Sequence, residues 1–116
     1  MSEKELQAAV IDLAHTFGWI VAHFRTAMGR RGHYMTPVGA DGKGFPDLCL
    51  VRERIVFMEI KVRHRQLSEE QRLWRDAILA AGGEWHKIDE KAWLEGRVDP
   101  ILIPYQHPSP PPSLGA

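Results

Sequence analysis

The chain has one cysteine, Cys49, so no disulfide can close within it, and the apolar run around that residue points to a buried, inert thiol rather than a nucleophile. No apolar stretch approaches the roughly 18 to 20 residues of a membrane span. Met1 to Gln7 lacks the apolar segment and small-residue cleavage site of a signal peptide, which leads us to expect a cytoplasmic protein. Neither sign of charge dominates: 15 Lys and Arg face 15 Asp and Glu, so composition alone names no charged partner. The six histidines are not grouped at ligand spacing, and with a single cysteine this disfavours a zinc site. No internal repeat is present.

What is there fits one domain. At 116 residues, 44% apolar and 26% charged, the chain can bury a single core. Leu6, Ala9, Val10, Leu13 and Phe17 recur at helical spacing behind a Ser2/Glu5 capping box, which predicts a helix over 3–17. Gly18 ends it, and the β-branched and aromatic residues of 19–25 predict a strand. Residues 26–44 hold five glycines and a proline without periodicity and are expected to form a long connection near the substrate. Strands are expected at 47–51 and 55–62, joined as a hairpin by Arg52-Glu53-Arg54. A second amphipathic helix should start at an N-cap, Ser68, carry the stripe Leu73, Trp74, Ala77, Ile78 and Ala81, and stop at Gly82-Gly83. A strand over 84–88, a short helix over 90–95 and an apolar extension of open type over 98–103 complete an α/β domain, residues 1–103. The order α-β-β-β-α-β implies a central mixed sheet of about four strands flanked by helices. From Pro104 the chain has five prolines and no charge, and 104–116 is expected to be a disordered or extended tail.

Charge is unevenly distributed. Arg25, Arg30, Arg31 and Lys43 stand against Asp41 alone between residues 23 and 44, and Lys61, Arg63, Arg65, Arg72 and Arg75 stand against Glu69 and Glu70 between 61 and 75. The segment between these surpluses changes character along one strand face. Period-two alternation puts Ile55, Phe57, Glu59 and Lys61 on one side and Val56, Met58, Ile60 and Val62 on the other, so the first side turns from apolar to ionic at its end. Glu59 and Lys61 need compensation there. An ion pair between them at a sheet edge would supply it. So would a divalent cation shared by Glu59 and Asp47, which begins the neighbouring strand: Mg²⁺ takes hard oxygen ligands, and two converging carboxylates repel unless a cation sits between them. Such an ion polarises a phosphodiester and lowers the pKa of bound water, and a nearby lysine can orient that water or stabilise charge on the phosphate.

Gly44-Phe-Pro-Asp47, Glu59-Ile-Lys61-Val62 and Leu67-Ser-x-x-Gln71 with Trp74 resemble the VRR-NUC branch of the PD-(D/E)xK nucleases, related in fold to archaeal Holliday-junction resolvases. The resemblance covers roughly 3–88. It implies a restriction-endonuclease-like core, DNA cleavage dependent on Mg²⁺ with Mn²⁺ able to substitute, metal held by Asp47, Glu59 and the Ile60 carbonyl, and Lys61 acting on the nucleophile or phosphate. It also implies an acidic residue on the first helix. Glu3 continues the helical stripe and is the better choice over Glu5, which already caps; a charge near a helix N-terminus equally suits Glu3 without any metal. Gln71 is a site residue on this reading and a capping-box residue on another. Arg25, Arg30, Arg31, Lys43 and Arg63 are candidates to bind DNA phosphates. His23 is expected to be structural, and Trp74 and Trp85 to belong to the core or a subunit contact. The function expected is a DNA endonuclease acting as a homodimer on branched DNA such as a Holliday junction. Its alternatives are broader nicking, flap or end processing, and a nucleic-acid-binding module without turnover.

Overall fold

The computed structural model describes residues 1–24 and 39–104, together with the backbone pairing of 27–28 and 34–35. Arg25, Arg30, Arg31 and the tail from 105 lie outside the described residues.

Helix α1 (Glu3–Thr16) buries Leu6, Val10 and Ala14, one residue per turn, and its capping box is complete in both directions between Ser2 and Glu5. Gly18, at φ +84, takes the left-handed turn that ends it. Strand β1 (Ile20–His23) follows, then two short paired strands, β2 (Ala27–Met28) and β3 (Tyr34–Met35). That antiparallel ladder corrects the expectation of a connection without strands over 26–44. Its pattern is two residues long, too short to show periodicity. β4 (Leu48–Val51) and β5 (Ile55–Ile60) form the expected hairpin, α2 (Glu69–Ala80) crosses over, and β6 (Glu84–Ile88) returns parallel to β5. The extension of open type is helical: α3 (Glu90–Leu94) is followed by α4 (Asp99–Leu102).

The domain is α/β, with a four-stranded mixed sheet in the order β1-β4-β5-β6 and helices on both faces. Even-numbered residues of the hairpin form the core face. Leu48, Leu50, Val56, Met58 and Ile60 are fully buried against Leu6, Val10 and Ala14 of α1, with Trp19, Val98 and Leu102 closing the layer. The odd-numbered face lies under α2. There Phe45 meets Phe57 and Trp74 edge to face at 5.8 and 5.0 Å, and of the predicted α2 stripe only Ile78 is buried, Leu73 being 64% exposed. No helix among the described residues is long and apolar enough to cross a membrane.

α4 is tied to the sheet by polar bonds. The buried Trp19 indole Nε1 donates to the Leu102 carbonyl at 2.7 Å, and the Arg54 guanidinium, which lies over the Trp19 ring, bonds Glu84 at 2.9 Å and the Ile101 carbonyl at 2.5 Å. Replacing Trp19 with Phe strands a buried carbonyl, at about 1 to 3 kcal/mol. Urea unfolding of Trp19→Phe is expected to show a lower midpoint with an unchanged slope.

Candidate metal centre

Each residue of Gly44-Phe45-Pro46-Asp47 has a physical task. Gly44 sits at φ +86, and a Cβ there would lie 2.5 Å from the Glu70 carbonyl carbon and 2.8 Å from the Gln71 nitrogen. Only glycine lets this loop rest on the first turn of α2. Phe45 inserts its ring between Phe24, Phe57 and Trp74. Pro46 acts through what it lacks. The hairpin register pairs Leu48 with Met58 and Leu50 with Val56, and the turn bond from Arg52 N–H to the Arg54 carbonyl marks this series as the hydrogen-bonded one, so position 46 falls opposite Ile60. Proline has no N–H to offer the Ile60 carbonyl. Asp47 Oδ2 accepts the Ile60 N–H at 2.8 Å in place of the ladder partner. The Ile60 carbonyl leaves the strand on the side of its own N–H, toward Asp47, and receives no donor from Pro46.

Glu59 continues that row on the α2 face. It is 1% exposed; Oε1 accepts from Gln71 Nε2 at 2.9 Å, and Oε2 is buried with no hydrogen-bond partner. Burial first, and then the negative charge of Asp47, push the Glu59 carboxyl up to about 9, with the nearby Lys61 charge opposing them. Gln71 serves both readings open for it. Its Oε1 accepts from Ser68 N–H at 2.8 Å while its own N–H bonds Ser68 Oγ at 3.1 Å, completing the capping box, and the other end of the amide holds Glu59.

No family model matches the chain, and no curated protein or solved structure matches it significantly. The site is therefore read from its own chemistry. Its donors are an unpartnered carboxyl oxygen, a second carboxylate and a strand carbonyl denied its ladder bond. All are hard oxygens of the kind that Mg²⁺ or Mn²⁺ accepts. Among the described residues no three His, Cys, Asp or Glu side chains group closely enough to hold a metal, so the carboxylates at this point number two. Glu3 lies 4.0 Å from Arg65 and does not make a third.

The other candidates are scattered. Lys43 is exposed and pairs with Glu70 at 3.3 Å. Arg63 is exposed, and its N–H is held at 3.2 Å by both oxygens of Glu90, in a turn where Arg63 and His64 both take left-handed backbone conformations. His23 shares a 3.3 Å hydrogen bond with Gln7 on α1. Cys49 is half-buried rather than fully so, and burial pushes its thiol up, away from the thiolate. A cavity of about 510 Å³ opens beside Trp74, bounded by Asp41, Lys43 and Glu70, and is not centred on Glu59. One side chain beside Glu59, Lys87, was missed from sequence, and Trp85, expected in the core or a subunit contact, is half-buried on the edge strand. Trp85 and Lys87 pair with Phe57 and Glu59 across the parallel β5/β6 register, which no local pattern encodes.

Because the folded Glu59 value lies above the ordinary 4.5, the folded state keeps a proton that the unfolded state gives up. The resulting stability is full below about 4.5 and is lost as the pH rises through about 9. In chelator, thermal melts are expected to show a falling midpoint across that window, and Glu59→Gln, which keeps a neutral acceptor for Gln71, to flatten it. Gly44→Ala forces a strained backbone into a closed contact and should cost at least about 1 to 3 kcal/mol in chemical denaturation.

Proposed function

We propose that the protein is a divalent-metal-dependent DNA endonuclease, cutting phosphodiester bonds at Asp47, Glu59 and Lys61. The observation that carries this reading is the buried Glu59 oxygen that receives no hydrogen-bond donor, beside the Asp47 carboxylate and within the field of the Lys61 charge. Protonated, as the free protein holds it, Glu59 shares its proton with Asp47; once it ionises the two carboxylates repel, and a cation between them would relieve that repulsion. Asp47, Glu59 and the Ile60 carbonyl would hold Mg²⁺ or Mn²⁺. When bound, the cation would polarise the scissile phosphate and make water a stronger nucleophile at neutral pH.

The chain's own groups do the rest. Gln71 fixes Glu59 through Oε1 and leaves Oε2 for the cation. Asp47 is fixed in turn by the Ile60 N–H, so neither carboxylate has to be ordered when substrate arrives. Lys61 orients the attacking water or stabilises the negative charge that grows on the phosphate. Lys43 and Arg63, both exposed, supply sequence-independent contacts to the backbone. A homodimer selective for branched DNA, working in the cytoplasm, completes the reading, its two sites matching the paired strands of a junction.

Gel assays on a four-way junction, a flap and a linear duplex with Mg²⁺ test it. Wild type is expected to cut the junction preferentially, and Lys61→Ala to keep binding while losing about a hundredfold or more in cleavage rate. Equal cleavage of all three substrates would remove the junction selectivity. A wild-type protein that binds DNA and is inert with every divalent ion would leave a binding module instead.

A further inference from the structure

At the open edge of the sheet, on the strand next to that of Glu59, lies a groove of about 240 Å³ lined by Gln66, Leu67, Arg72, Arg75, Trp85 and Lys87. We infer that this groove binds an unpaired nucleotide next to the bond that is cut, with the base stacked on Trp85 and its phosphates on Arg72, Arg75 and Lys87. The inference builds on the nuclease reading by naming what happens to the strand at the branch point, where one nucleotide is drawn out of its pair into the groove.

Position is the first argument. β6 is an edge strand, and its register sets Trp85 beside Phe57 and Lys87 beside Glu59 on the α2 face. Lys87 is therefore one strand spacing, about 4.8 Å between backbones, from the Glu59 strand. Arg72 lies in the first turns of α2, the helix whose Gln71 holds Glu59.

Charge is the second. The lining carries three cations and no carboxylate. Arg75 pairs with Asp76 at 2.9 Å outside the groove; Arg72 and Lys87 have no carboxylate partner among the described residues. Arg72 Nη1 donates to the Leu67 carbonyl at 2.7 Å, which holds the guanidinium in place and leaves its remaining N–H groups for a phosphate.

Shape and surface chemistry are the third. The groove is smaller than the roughly 300 to 1,000 Å³ of small-molecule pockets, which suits one planar base better than an enclosed metabolite. Trp85 is half-buried with the Arg75 guanidinium 6.0 Å from its ring centre, an aromatic platform with cations at its rim. Stacking on tryptophan requires a base face, and in a duplex those faces are covered. An acidic peptide would use the cations and leave the ring idle.

The test is binding in EDTA, where nothing is cut, followed by fluorescence anisotropy of labelled single-stranded DNA, labelled duplex and a polyglutamate competitor. Trp85→Leu is expected to weaken single-strand binding by about tenfold or more while leaving duplex binding unchanged. Trp85→Phe should restore most of it. Lys87→Gln and Arg72→Gln, substitutions at exposed positions that leave the core intact, should each lower the slope of log affinity against log salt by about one. Single-strand affinities that stay at the wild-type value in Trp85→Leu, Lys87→Gln and Arg72→Gln would overturn the groove. So would an equal loss on single strand and duplex, or polyglutamate that competes as well as DNA does. If wild type never cuts with Mg²⁺ yet binds single strands through these residues, the groove stands and the nuclease reading falls.

Discussion

Glu59 is buried beside another carboxylate, and only one of its two oxygens is given a hydrogen-bond donor. An ionised carboxyl cannot be left so without a partner, and the free protein answers by holding a proton well above the usual carboxylate range. The surrounding structure is built to keep this arrangement rather than relieve it. Gln71 could turn away only by breaking the cap of α2, Asp47 is locked to the Ile60 N–H, and Pro46 has no N–H to offer the Ile60 carbonyl. A cation between the two carboxylates would resolve the conflict, and on the proposed reading that is its purpose.

The two faces of the sheet divide the labour. The α1 face is a dry aliphatic layer in which Leu6, Val10, Leu48, Leu50, Val56, Met58 and Ile60 exclude solvent completely. The α2 face buries little: Ile78, a partly covered aromatic group around Phe45, and the Gln71 to Glu59 bond. Position therefore depends there on a few specific contacts, with Gly44 against the first turn of α2 the tightest. Stability comes mostly from one side and, on the proposed reading, chemistry from the other, so the ionic row can carry strain without loosening the core.

Much of this was legible in the sequence for identifiable reasons. Helix limits followed from Ser2, Gly18, Ser68 and Gly82, whose cap and stop chemistry is local. The faces of β5 followed from strict alternation, and Asp47 met Glu59 because a three-residue turn fixes the hairpin register. Illegible features were those set by contacts distant in sequence. The β2/β3 ladder is too short for a period, Glu3 pairs with Arg65 rather than joining the carboxylates, and the Trp85 and Lys87 positions depend on a parallel crossover register. The α2 stripe predicted more burial than Leu73 shows, because apolar spacing marks a face without saying what covers it.

Calorimetric titration of the nucleic-acid-free protein with Mg²⁺ and Mn²⁺ at neutral pH, repeated in buffers of different ionisation enthalpy, tests the central claim most directly. If Asp47 and Glu59 hold the cation, binding should release about one proton, the one Glu59 keeps in the free protein, and Asp47→Asn should abolish it. Absence of binding by either ion, or binding that releases no proton and survives Asp47→Asn, would contradict the account.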